Sequence, residues 1–152
     1  MLLVVKKGHE FPFETIEDLA GKVLGVRRGS IYGDVFERGM RELLFTVNED
    51  GNGVQRLKKL LLDRIDVALI GPGKSGLNWI INSDSMLQAS RDEFVVLPVP
   101  FAVDPNYLGF AQAMNMKEFL AEFNLIIQQG HEDGTIQAII GKYEEYTSRL
   151  MR

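Results

Sequence analysis

One short segment restricts the fold of this chain more than any other feature. Residues 65–70, Ile-Asp-Val-Ala-Leu-Ile, are nearly continuous in apolar character. A β-strand has this composition when both of its faces are covered, as in the parallel sheets of α/β proteins. Gly71-Pro72-Gly73 then ends the strand. Because such a strand needs helices above and below it, the segment predicts an α/β fold.

Strand-like and helix-like patterns alternate through the rest of residues 1–106, which predicts a mainly parallel sheet with right-handed crossovers. We therefore expect these residues to form a three-layer α/β lobe. Pro98 and Pro100 favour either an edge position for the strand before them or a segment that crosses between lobes. The other predicted strands are Leu2 to Val5, Lys22 to Val26, Phe45 to Val47 and Phe94 to Leu97.

Helices are predicted from Asp34, with Phe36, Met40, Leu43 and Leu44 on the buried face, and around Val54 to Leu61 and Leu77 to Ile81. Thr15 is predicted to cap a short helical turn, and Asn48 to Gly53 are predicted to form a turn cluster.

Residues 107–152 are predicted to form a return strand, Tyr107 to Ala111, followed by two helices. Asp133-Gly134-Thr135 joins the helices, with Gly134 as a C-terminal stop and Thr135 as the next N-cap. The apolar faces of the helices are Phe119, Leu120, Phe123, Ile126 and Ile127 on the first, and Ile136, Ile139, Ile140 and Tyr143 on the second.

Composition excludes several classes of function. The formal net charge is −4 and no basic stripe is interleaved with aromatic residues, so a nucleic-acid partner is not expected. The absence of cysteine removes disulfides, thiolate metal sites and cysteine nucleophiles. His9 and His131 lie in predicted loops without a partner at catalytic or zinc-binding spacing. We therefore expect no catalytic residue, no metal and no cofactor.

No membrane-spanning or targeting segment is expected within this sequence. The apolar runs are far shorter than the roughly 20 residues that a membrane helix requires. The first residues, Met-Leu-Leu-Val-Val-Lys-Lys, place the apolar run before the charges, whereas a secretory signal has the reverse order.

Residues 68–75 end in Gly-Lys-Ser and resemble a phosphate-binding loop only superficially. The first glycine of that motif is replaced by Ala68, and the apolar strand continues to Ile70. Too few loop residues remain to surround two phosphates with backbone N–H groups. We interpret the segment as a strand-to-helix turn, in which Lys74 near a helix N-terminus favours an anion.

Residues 25–33, Gly-Val-Arg-Arg-Gly-Ser-Ile-Tyr-Gly, are a stronger candidate for binding. A strand ends, glycine permits a sharp turn, and Ser30 is predicted to cap the helix beyond it. Ligands of open α/β sheets bind in the crevice outside the carboxyl ends of the strands. The predicted ligand-binding residues are Arg27, Gly29, Ser30, Ile31, Gly71 and Lys74.

Three segments together resemble the family 3 extracellular solute-binding proteins. Residues 13–30 carry Asp-Leu, Gly-Lys, a strand and Gly-Val-Arg-Arg-Gly-Ser in the family's order, and residues 64–70 are similar to its next strand. Residues 123–143 resemble its C-terminal helix pair. The resemblance implies the periplasmic binding protein-like fold, in which two lobes close around a small polar solute and a membrane permease recognises the closed form. This chain looks like the second lobe plus the C-terminal helices, so the arginine of the first lobe that clamps a ligand carboxylate has no counterpart here.

The sequence departs from the family's amino-acid binders at Gly71. Those proteins place an aspartate at the end of the equivalent strand, where it pairs with the ligand's ammonium group. Burying an ammonium group without a partner is costly. The expected solute is therefore small, polar and anionic.

The resemblance implies a solute-binding component, or a truncated relative, of a bacterial ABC-type uptake system, located in the periplasm or outside the cell. Two alternatives stay open: a sensor or interaction module built on the same lobe, and a dehydratase-like enzyme on this fold, for which no acid–base residues are found. Without a first lobe, the apolar faces of the last two helices need another cover, which is either their own sheet or a second chain. Of these two we expect the homodimer.

Overall fold

The computed structural model describes residues 1–71, 73–103 and 107–150, the last seven of these without their side chains. The chain forms two compact units, Met1–Asp104 and Pro105–Arg152. Among the described helices, none has both the length and the apolar character needed to cross a membrane.

In its described residues, the first unit contains a five-stranded sheet and four α-helices. The strands are β1 (Leu2–Lys6), β2 (Val23–Arg27), β3 (Thr46–Asp50), β4 (Val67–Ile70) and β5 (Phe94–Val96). The helices are α1 (Asp34–Arg41), α2 (Gly53–Leu61), α3 (Gly73–Asn82) and α4 (Ser85–Ala89), with 3₁₀ turns at Ile16–Leu19 and Arg91–Glu93.

The strands lie in the order β3-β2-β4-β1-β5. β2 is parallel to β3 and β4, whereas β1 is antiparallel to both of its neighbours, β4 and β5. Four strands therefore run in one direction and β1 runs in the other. β4 lies at the centre, and all four of its residues are buried, as the continuous apolar segment predicted. The predicted α/β fold with a mainly parallel sheet is confirmed, and β5 lies at an edge.

Helices cover both faces of this sheet, which gives the three layers. Alternate strand residues point to opposite sides: Leu3 and Leu69 belong to one core cluster, and Val4 and Ala68 belong to the other. The 3₁₀ turn and α1 cover the first side with Ile16, Leu19 and Phe36; α2 and α3 cover the second with Leu57, Leu60, Leu77, Ile80 and Ile81. Complete burial of one such side chain stabilises the fold by about 1.5–3 kcal/mol.

Two boundaries differ from the sequence-based prediction. Helix α1 ends at Arg41, and Leu43 has a φ of 54° and is 85% exposed, so it does not belong to the buried face. Phe45 occupies the core instead. The expected turn cluster begins later than predicted, since β3 continues to Asp50 by pairing with β2 in five successive positions. An edge strand tolerates the polar residues of β3 because one side is open to water.

The second unit consists mainly of α5 (Lys117–Glu132) and α6 (Thr135–Leu150). Gly134, with a φ of 81°, follows the end of α5 as predicted. Thr135 is the first residue of α6 rather than its cap; its backbone N–H donates to Asp133 Oδ1 at 2.8 Å. The bare backbone of Gly130 lets Ile136 pack closely, because an added Cβ would lie 3.0 Å from Ile136 Cγ1.

The strand predicted at residues 107–111 was wrong. These residues are irregular and lead into a 3₁₀ turn at Gln112–Met114. Within the described parts of the chain no strand pairs with them. A strand needs a neighbour to satisfy its backbone hydrogen bonds, so an apolar pattern alone does not form one.

Candidate functional site

A cavity of about 770 Å³ opens at the carboxyl edge of the sheet, where the parallel strands β2 and β4 end. Helix α2 begins at the same edge, directly after β3, and α3 begins there after β4. The described lining residues are Met1, Arg27, Ser30, Ile31, Tyr32, Gly51, Asn52, Gly53, Arg56, Leu69, Ile70, Gly71, Gly76, Trp79 and Ile80.

The loop after β2 is folded back on itself by three contacts. Ser30 N donates to Arg27 O at 3.2 Å, and Arg27 N donates to Tyr32 Oη at 2.7 Å. The Tyr32 ring packs on Phe36 with centroids 4.8 Å apart. Gly29 has a φ of 71°, which a residue with a side chain adopts only with strain. These contacts hold Ser30 and Ile31 at the mouth of the cavity.

The structure brings Arg27, Ser30, Ile31 and Gly71 together at the cavity. Gly29 lies in the same loop but is not among the described lining residues. Lys74 is in the first turn of α3, exposed, and is likewise not among them.

The predicted capping role of Ser30 was wrong. Helix α1 begins at Asp34, and its N-cap is Gly33, with a φ of 87° and no side-chain cap. Three residues separate Ser30 from that helix, because the loop turns back through Tyr32 before the helix starts. Ser30 therefore lies among the described lining residues of the cavity and does not cap the helix.

A buried ion pair forms part of the cavity floor, and sequence reasoning missed it. Arg56 Nε and Nη2 donate to Asp50 Oδ2 and Oδ1 at 3.1 and 2.8 Å, and Arg56 Nη1 donates to Leu69 O at 2.6 Å. Arg56 is 5% exposed and Asp50 is 3% exposed. The two-pronged geometry fixes the guanidinium and neutralises its charge.

Glycine makes room for this pair. A Cβ on Gly25, in the middle of β2, would lie 3.0 Å from Arg56 Cγ and 2.4 Å from Ile65 Cδ1. The aliphatic stem of Arg56 therefore packs against β2 at Gly25, where the strand has no side chain. Two sequence signals pointed here: a glycine inside a strand, which marks a close approach, and an arginine four residues before the core residue Leu60 on the buried face of α2.

Among the described lining residues, Arg27 supplies an exposed positive charge. It is exposed, and no ion pair to its guanidinium is found among the described residues. Its neighbour Arg28 pairs with Glu49 at 3.5 Å and does not line the cavity. The described lining contains no carboxylate, and Asp50 lies behind Arg56. The charge on the described lining of the cavity is therefore positive.

The turn after β4 is as short as the sequence indicated. β4 ends at Ile70 and α3 begins at Gly73, so two residues separate them. Gly73 N donates to Gly71 O at 2.9 Å within this turn. A two-residue connection is too short for a phosphate-binding loop. Within the described residues, no cluster of three or more metal-ligating side chains is found either.

Comparison with known proteins identifies the fold. No family model matches the chain, and no curated protein matches it. A structure titled an ancestral arginine-binding protein bound to arginine is 22% identical, with a TM-score of 0.55, over 93% of this chain and 58% of its own. The second substrate-binding domain of a putative amino acid ABC transporter from Streptococcus pneumoniae is 19% identical, with a TM-score of 0.57 and coverages of 93% and 59%.

The second substrate-binding domain of GlnP from Lactococcus lactis, in an open conformation, is also similar: 19% identity, a TM-score of 0.55, and coverages of 93% and 56%. The first of these neighbours is titled as an arginine-binding protein, and the other two are titled as substrate-binding domains. The chain spans less than two thirds of the length of each of them. Over nearly all of its own length, this chain has the fold of part of an amino-acid ABC transporter substrate-binding domain.

Proposed function

We propose that this chain is the solute-binding component, or a truncated relative of one, of a bacterial ABC-type uptake system, and that it holds a small polar, anionic solute without chemistry. One observation carries the proposal: a cavity at the carboxyl edge of β2 and β4 presents the exposed Arg27 and Ser30, and its described lining has no carboxylate. This edge is where ligands of open α/β sheets bind.

Charge favours an anion over a free amino acid. Two neighbouring structures are titled as bound to arginine and to glutamine, and an amino acid carries an ammonium group. In this cavity an ammonium group would meet Gly71 at the end of β4, and the nearest buried acid, Asp50, is already bonded to Arg56. An ammonium group without an acceptor pays its desolvation cost without compensation.

We expect weak affinity from the isolated chain. A small ligand normally buries about 70–90% of its surface in its site, and a single lobe contacts one side of it. Common amino acids should bind at millimolar concentration or not at all. Calorimetry that gave micromolar binding of an amino acid to the monomer would contradict this proposal.

The proposed setting is the periplasm or the cell exterior, with a membrane permease as partner. A genome in which permease and ATPase genes lie beside this one would support uptake. The neighbouring structure titled as a substrate-binding domain of a putative amino acid ABC transporter supports the same setting. A homodimer remains part of the proposal, because half or more of the surface of several apolar residues on α5 and α6, including Leu125, Ile126 and Tyr143, is exposed.

The test compares two adjacent arginines. Arg27→Gln removes the cavity charge, and Arg28→Gln removes the same charge from a residue that pairs with Glu49 outside the cavity. Binding of acetate, propionate and succinate is measured by two-dimensional NMR at constant ionic strength, with melting temperature as a second readout, since a ligand of the folded state raises it.

We expect Arg27→Gln to weaken binding about fivefold or more, because a hydrogen bond to a charged group is lost. Ser30→Ala should also weaken binding. Arg28→Gln should leave the affinity unchanged within about twofold, as expected for an exposed charge. Equal losses for the two arginine variants would mean general charge attraction, and no binding of any anion would refute the proposal.

A further inference from the structure

The cavity also has apolar lining residues, which its positive charge does not explain. Besides its polar residues, the described lining includes five large apolar side chains: Ile31, Leu69, Ile70, Trp79 and Ile80. We propose that the solute carries a flat, apolar body that stacks on Trp79, so that the preferred ligand class is a small aromatic carboxylate. This inference rests on the proposed function and specifies its solute.

The position of Trp79 on α3 supports this role. Leu77, Ile80 and Ile81 face the core and are buried, as the helical spacing requires. Trp79 lies between them in sequence but is 62% exposed and lines the cavity. An indole buries a large apolar area when it is packed, so leaving it in water forfeits stability that a flat ligand would recover.

Glycines leave space beside the indole. Gly76 lies one turn before Trp79 on the same helix, and Gly71 directly follows β4. A Cβ built on Gly71 would meet nothing within 4 Å. Gly51 and Gly53 line the cavity at the start of α2. A Cβ on Gly53 would lie 2.5 Å from Ile80 Cδ1, so Ile80 already fills that position. The open position on the described lining is Gly71, and it leaves room for a ring in the same cavity as the tryptophan.

The polar loop fixes the other end of such a ligand. Arg27 and Ser30 line the same cavity as Trp79, and the described lining offers no carboxylate that would repel an anion. The guanidinium of Arg56 is held by Asp50 and Leu69 O, so the flat body meets a neutral floor. The arrangement suits a molecule with a carboxylate at one end and a ring at the other.

A matched pair of acids tests the inference. Propionate and 3-phenylpropionate share the carboxylate and differ by the phenyl ring. Trp79 is the single tryptophan of the chain, so its indole N–H gives one NMR signal that reports directly on this wall. Both acids are titrated to tens of millimolar against the unmodified chain, Trp79→Ala and Trp79→Phe, with backbone amide signals as the readout common to all three.

We expect 3-phenylpropionate to bind about tenfold more tightly than propionate and to shift the indole signal, as stacking of a ring on an aromatic side chain implies. Trp79→Ala should remove this preference, so that the two acids bind with similar affinity, whereas Trp79→Phe should keep most of it. Melting curves verify that the variants fold, which an exposed position allows.

The outcomes separate the two proposals. Equal binding of both acids, unaffected by Trp79→Ala, overturns the aromatic preference and leaves the anion site intact. Binding of the neutral analogue 2-phenylethanol, shifting the indole signal while neither acid binds, overturns the anion site and supports the apolar wall. Absence of binding by all three compounds overturns both.

Discussion

The buried pair of Arg56 and Asp50 allows a sharp test of how this site is held together. Replacing Arg56 with methionine keeps most of the aliphatic stem that lies over Gly25 and removes the guanidinium. The Asp50 carboxylate, which is 3% exposed, then loses both of its Arg56 donors, and Leu69 O loses its own. A buried charge deprived of its partner is strongly destabilising.

The expected loss in the free energy of unfolding is about 3–5 kcal/mol at neutral pH. With the urea dependence typical of small proteins, about 2 kcal/mol per molar, the unfolding midpoint should fall on the order of 2 M. A second substitution, Asp50→Asn, removes the uncompensated charge. The double variant Asp50→Asn/Arg56→Met should therefore recover at least half of the loss.

Lys58→Met is the matched control, because it makes the same kind of change on the same helix. Lys58 Nζ lies 2.6 Å from Asp84 Oδ2, and the two side chains are 37% and 21% exposed. Water can solvate Asp84 when its partner is removed, so we expect a loss below about 1 kcal/mol.

Urea unfolding followed by circular dichroism measures all four proteins. Equal losses for Arg56→Met and Lys58→Met would refute the reasoning, since burial would then not distinguish the pairs. So would a double variant as unstable as Arg56→Met alone, because the damage would then come from lost packing and not from a stranded charge.

Three further predictions concern packing, pH and assembly. Gly25→Ala should lower the free energy of unfolding by about 1–3 kcal/mol, because its Cβ would lie 2.4 Å from Ile65 Cδ1. Gly71→Ala should change it little, because a Cβ there meets nothing within 4 Å. Equal melting temperatures for the two variants would contradict this prediction. The hydrogen bond from Lys58, together with backbone N–H bonds from Leu87 and Met86, holds the pKa of Asp84 below its usual value of 3.8. The ionised carboxylate therefore stabilises the fold above that pH, and this contribution is lost as the pH falls through the lowered pKa. Asp84→Asn should thus be less stable than the unmodified protein at neutral pH and approach it in acid, and a gap that persists in acid would exclude the ionic contribution. Sedimentation at micromolar concentration should give a homodimer; a clean monomer of 17.1 kDa would rule it out.

Several features of the fold follow from local sequence patterns, because the physics behind them is local. The continuous apolar run of residues 65–70 predicted a strand covered on both faces, and β4 is fully buried at the sheet centre. Thr15 precedes a short helical turn in which Asp18 accepts its N–H at 2.9 Å, a pattern visible in four consecutive residues. The loop from Arg27 to Gly33 was likewise located from its glycines.

What the sequence could not supply depends on residues far apart in the chain. The strand predicted at 107–111 had suitable residues, yet a strand also needs a partner. The apolar spacing placed Leu43 on a helix face, but the helix ended two residues earlier and Phe45 filled the core.

The sequence by itself determined the α/β class, the central strand and the loop that carries Arg27 and Ser30. Periodicity, apolar runs and glycine positions express local preferences that need no knowledge of neighbours. Only the tertiary structure decided that Arg56 reaches across Gly25 to Asp50 and that Trp79 faces the same cavity as Arg27. A side chain's charge, its burial and its access to a ligand depend on which other elements pack around it, and that packing is set by contacts between distant parts of the chain.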